Sequence, residues 1–76
     1  MFVFQLSDAT AQRGPITVDP DTTVGELVDW FQAAPGLSGE AALKWAGRVV
    51  QAVCVQDGAA RAQLDEAGYT LAPAGS

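Results

Sequence analysis

Residues Thr23 to Ala34 constrain the fold of this 76-residue chain more than any other stretch. Thr23-Val24-Gly25-Glu26 has the form of a capping box. The threonine hydroxyl can accept from a free backbone N–H of the first turn, and the glutamate can reach back to the cap. Val24, Leu27, Val28 and Phe31 then follow at helical spacing and predict one apolar stripe, with Asp29 and Gln32 off it. Trp30 falls at the edge of the stripe, where it is expected half exposed. Pro35-Gly36 ends the element, because proline cannot donate and glycine tolerates a left-handed cap. A helix with one apolar face has to bury it. In a chain this short, a single sheet is the surface on offer.

The strands of that sheet are sought by alternation. Met1 to Leu6 places Phe2, Phe4 and Leu6 on one face and Val3 and Gln5 on the other. Ser7 to Gly14 is polar and turn-like, and Ile16-Thr17-Val18 alternates again before Asp19-Pro20 stops it. The pair reads as an antiparallel hairpin. Asp19 and Asp21 serve the turn and the start of the helix through its dipole. Ser38 to Gly47 predicts a short helix capped by Ser38, the rival being a strand through Leu43-Lys44-Trp45. Arg48 to Val55 is β-branched and apolar, and propensity predicts a strand with Val50, Ala52 and Cys54 inward. Ala59 to Ala67 is either helical or a loose loop with a brief strand at Gln63-Leu64. Tyr69 to Ala72 reads as a last strand that Pro73 ends. The expected core is Phe2, Phe4, Leu6, Ile16, Val18, Val24, Leu27, Phe31, Cys54, Leu64, Tyr69 and Leu71.

Composition removes several chemistries. There is no histidine, so no Ser-His or Cys-His nucleophile pair can form. The lone Cys54 can neither close an internal disulfide nor build a thiolate zinc site, and between Val53 and Val55 it reads as a small core hydrophobe. No metal site is expected. Nine acidic against four basic residues give a formal charge of −5, which opposes nucleic acid and suits a basic partner. No run is long and apolar enough for a membrane span, and the first residues lack the pattern of a signal peptide, so a cytoplasmic protein is expected. Asp65-Glu66 reads as a solvated edge and not as a catalytic carboxylate pair.

The order strand, strand, helix, short element, strand, terminal strand resembles the β-grasp, the ubiquitin-like superfamily. Ile16 to Leu27 is similar to the second strand, turn and helix start of its members, and Leu43-Lys44-Trp45-Ala46-Gly47-Arg48 resembles a stretch of ubiquitin. With Arg48 to Val55 as a strand and Leu64 to Gly68 as the turn into Tyr69 to Ala72, the chain most resembles the sulfur-carrier branch. That branch holds the small subunit of molybdopterin synthase and the sulfur carrier of thiamine biosynthesis. The resemblance implies an α+β roll: a mixed sheet, one main helix over Thr23–Ala34, and the terminal strand in the middle of the sheet. The domain would span residues 1–72, with a flexible tail over 73–76.

It also implies a function. In the family a terminal glycine carboxylate is adenylated by an E1-like partner enzyme that uses ATP. It then becomes a thiocarboxylate that donates sulfur to an accepting or larger synthase subunit. The activation tail here is Ala74, Gly75 and Ser76, with no cofactor bound to the chain itself. The family's Gly-Gly end is replaced by Gly75-Ser76, so Ser76 is removed, tolerated, or part of a tail without chemistry. The alternative is a non-catalytic ubiquitin-like interaction module or modifier. For either, the expected partner-binding residues are Val3, Val53 and Ala72, as an outward apolar patch on three strands, with Trp30 and Trp45 as half-exposed anchors.

Overall fold

The computed structural model describes residues 3–10, 13–34 and 36–74. Met1 and Phe2 of the expected first strand, Pro35, and the tail residues Gly75 and Ser76 lie outside them. The chain runs β1 (Phe4–Asp8), β2 (Ile16–Val18), α1 (Val24–Gln32), α2 (Gly39–Val50), a π-helical segment (Gln51–Val55), α3 (Gly58–Glu66) and β3 (Tyr69–Pro73). It is an α+β domain, as expected, but with three α-helices where one main helix was foreseen, and its sheet is wholly antiparallel, not mixed.

The hairpin forms as predicted, although its first strand extends through Ser7 and Asp8. β1 pairs with β2 in the register Phe4↔Val18 and Leu6↔Ile16. On its other side β1 pairs with β3 from Phe4↔Pro73 to Asp8↔Tyr69. β1 is therefore the centre of the sheet and β3 an edge. This corrects the expected central place of the terminal strand. The cause lies in Arg48 to Val55, which is helical and not a strand. Among the described residues no strand pairs with the outer side of β3. The three helices return the chain to the opposite end of β1, so β3 runs antiparallel to it. β3 ends at Pro73, which is its last residue. The bonds from Ala9 N–H to the Gly68 carbonyl (2.8 Å) and from Ala74 N–H to the Val3 carbonyl (2.9 Å) fix which residues face β1. Pro73 falls on the outward-facing set, where its missing N–H leaves no ladder bond unmade.

Propensity misleads at 48–55 because packing outweighs it. Ala42, Ala46, Val49 and Val53 are buried at helical spacing from α2 into the π-helical segment, one unbroken stripe against the core. Gly47 does not break it, and a Cβ there would meet nothing within 4 Å. The segment ends on Gln56, which takes a left-handed conformation (φ 57°, ψ 41°). Ala52 is buried and Gln51 exposed, as expected, but Val53 and Cys54 change places: Val53, placed on an outer face by the strand reading, is 3 % exposed, while Cys54, expected inside, is exposed.

α1 matches its prediction in extent, and Thr23 Oγ1 accepts from Glu26 N–H at 3.2 Å. No return bond from the Glu26 side chain is found among the described residues. Replacing Thr23 with alanine is expected to cost about 1 kcal/mol, and replacing Glu26 less than about 0.5 kcal/mol, read as shifts in urea midpoint. The buried stripe is Leu27, Trp30, Phe31 and Ala34, turned about one residue from the expected one. Val24, placed in the core by the sequence, is 40 % exposed, and Trp30, expected half exposed, is buried.

The reason for that rotation is Arg13. Its guanidinium lies 4.8 Å from the Trp30 ring centre and 5.4 Å from that of Tyr69. Its Nη2 donates to the Phe31 carbonyl at 3.0 Å, and Trp30 Nε1 donates to the Gly14 carbonyl at 2.7 Å. The β1–β2 loop thus grips the C-terminal end of α1 from two sides. Tyr69 closes the assembly from β3, meeting Phe31 edge-on at 4.9 Å and Trp45 of α2 at 5.7 Å.

Candidate functional site

Two uncommon backbone features meet at one place. The π-helical segment is a wide turn of a kind found often at functional sites, and the left-handed Gln56 that ends it is strained for a residue with a Cβ. Asp57 follows as the cap of α3, its carboxylate accepting from Ala59 N–H at 3.0 Å. Across from them lies the end of the sheet, where Phe4 and Pro73 are cross-strand partners. Between these walls is an open groove of about 510 Å³. Phe4, Ala52 and Pro73 give it apolar sides, and Gln56, Asp57 and Arg61 give it a polar rim on one flank. An apolar floor with a few polar groups at the edge is the build of a recognition pocket. Among the described residues no group of three or more Cys, Asp or Glu side chains is placed to hold a metal ion. No helix of the described residues is long and apolar enough to cross a membrane.

The sequence-predicted site residues are not brought together. Val3 and Ala72 do share the outer face of the sheet. β1 and β3 alternate so that Leu6, Tyr69 and Leu71 go to the core and Gln5, Ser7, Thr70 and Ala72 go out. Gln5, opposite Ala72, breaks any apolar continuity there. Val53 is on the other side of the sheet, buried in the core, so the three-residue patch with Val3 and Ala72 does not exist. Trp30 is likewise a core residue. Trp45 is half-buried, as expected, on the rim of a second groove between α2 and α3. Ala74, first residue of the expected activation tail, is bonded to Val3 and continues the sheet edge. The rest of that tail, Gly75 and Ser76, lies outside the described residues.

Gln56 and Arg61 were missed by sequence reasoning, and so was the part Phe4 and Pro73 play together. The signal available was Gln56-Asp57-Gly58, a polar break between two apolar-periodic runs, which marks a turn but not what the turn faces. Compared with known proteins, the chain matches no family model, no curated protein and no solved structure.

Proposed function

We propose that this chain is a non-catalytic protein-interaction module, and that the groove between Phe4, Pro73 and the π-helical segment receives an apolar side chain of a partner protein. The observation that carries this reading is the coincidence of the apolar-walled groove with the π-helical turn and the strained Gln56. Strain of this kind costs on the order of 1–3 kcal/mol and persists where the surroundings hold it for a purpose. Val55, 73 % exposed just before Gln56, adds apolar surface near the same turn.

Site-specific photo-crosslinking in the native cells tests the proposal. Benzoylphenylalanine at Gln56 is expected to capture one discrete partner, and the same probe at exposed Ala62 is expected not to. Adding Pro73→Glu should abolish the Gln56 adduct while leaving the melting curve in place. Equal labelling from Gln56 and Ala62, or none from Gln56, would overturn it.

The sulfur-carrier reading is the second proposal, and one observation favours it. Pro73, the last residue of β3, lines the groove and is followed in sequence by Ala74-Gly75-Ser76, so a partner enzyme seated in the groove would lie near Ala74, the first residue of the expected tail. The adenylating partner, its ATP and the sulfur-accepting subunit belong to this proposal. The two readings separate on deletion of residues 74–76. Crosslinking from Gln56 survives that deletion in an interaction module. Only a carrier yields a C-terminal thiocarboxylate in the intact mass of the protein from native cells.

A further inference from the structure

We propose a second binding site beyond that reading: the groove between α2 and α3 takes an acidic peptide segment of a partner, with Lys44 and Arg48 clamping a carboxylate and Trp45 supporting the apolar residue beside it. The groove measures about 420 Å³ and is lined by Lys44, Trp45, Arg48, Gln63, Glu66 and Ala67. Lys44 and Arg48 stand one turn apart on α2 and so project to one side. They are half of the four basic side chains of a chain with formal charge −5.

Neither cation has a carboxylate within ion-pair distance among the described residues. Glu40, one turn before Lys44, is where an ordinary surface pair would form. Instead the Lys44 ammonium lies 5.6 Å from the Trp45 ring centre. Arg48 donates from Nη1 to Gln51 Oε1 at 3.0 Å, but its Nε is buried and has no partner. The buried Nε is out of a ligand's reach, so the clamp is left to the Lys44 ammonium and the Nη groups of Arg48. The half-buried indole of Trp45 and the methyl of Ala67 give the apolar ground between the charges and α3.

Charge complementarity selects the occupant. The domain as a whole carries −5 and suits a basic partner, but this groove sets two cations, Lys44 and Arg48, against one carboxylate, Glu66, and is locally positive, so a carboxylate is the group it draws in. Glu66 and Gln63 on the opposite wall favour a peptide over a simple anion. Their acceptors can take backbone N–H groups of an extended segment while its acidic side chain crosses to α2.

The test uses the full chain and three fluorescein-labelled hexapeptides that alternate leucine with glutamate, glutamine or lysine. Saturable binding of the glutamate peptide at low salt is expected, falling steeply as salt is raised, with the other two much weaker. Lys44→Gln with Arg48→Gln should weaken it about tenfold. Lys44→Gln alone, at an exposed position that cannot unfold the domain, should weaken it in the same direction. On titration the Trp45 indole N–H resonance should move while that of Trp30, bonded to Gly14 in the core, stays fixed. Pro73→Glu should leave the affinity unchanged, so that failure here is distinct from failure of the first groove. Equal binding of the glutamine peptide, or glutamate-peptide binding indifferent to both Lys44→Gln and the double variant, would overturn the proposal. Loss of binding in Pro73→Glu would overturn it too, by assigning the peptide to the other groove.

Discussion

Replacing Arg13 with methionine will cost about 3–5 kcal/mol of folding stability, read from urea unfolding. Its guanidinium lies 3.3 Å from Asp8 Oδ2, and both side chains are at least nine-tenths buried. The contact has ion-pair distance without hydrogen-bond geometry, and Arg13 Nε has no partner either. The charge is held instead by the Phe31 carbonyl and the faces of Trp30 and Tyr69. Methionine keeps the length and apolar volume of the stem. What it removes is the counter-charge of a buried carboxylate and the bridge from the β1–β2 loop to α1. The loss will persist in concentrated salt, because a buried pair is screened little. Lysine will not rescue it, since an ammonium cannot stack on both rings and donate to Phe31 at once. For a domain of this length, total stability is about 4–11 kcal/mol, so the variant stands near its unfolding limit. A change below about 0.5 kcal/mol would show that the clamp does not exist.

What the sequence disclosed and what it concealed follow one physical line. α1 was legible because cap, stripe and stop all lie within its own residues. The β1–β2 hairpin and β3 were legible because alternation is local. The helix capped by Ser38 was legible for the same reason, and Ser38 Oγ does accept from Ala41 N–H. Arg13 was not. An arginine in a polar loop reads as solvated, and only the approach of α1 and β3 makes it a core residue. Arg48 to Val55 was misread because its β-branched composition is a local preference, whereas the stripe that sets its fate begins at Ala42, inside the preceding helix. The same misreading moved β3 from the edge to the middle of the sheet and set Val53 beside Val3 and Ala72. Both grooves lie between elements far apart in the chain, Phe4 with Pro73 and Lys44 with Glu66. No spacing rule within a window of sequence can pair them.

Aspartate placed at Val53 and at Val55 turns that misreading into a measurement. Along a strand, residues two apart share a face, so the two variants should behave alike. Along a helix they fall on nearly opposite sides. Val53 is 3 % exposed in the core and Val55 73 % exposed. An aspartate at Val53 forces a carboxylate among the apolar side chains of the core cluster. The expected cost is about 4 kcal/mol or more, enough to unfold a marginal domain. Val55→Asp should change stability by no more than about 0.5 kcal/mol, since its side chain already meets water. Circular dichroism in urea separates the outcomes: a helical signal retained by Val55→Asp and lost by Val53→Asp fits the π-helical segment. Equal loss in both would restore the strand. The result also bears on function, because a partner-binding defect in Val53→Asp then reports an unfolded domain and not a docking residue. Under the proposed interaction, Pro73 and Gln56 are the positions at which binding should change while the fold is kept.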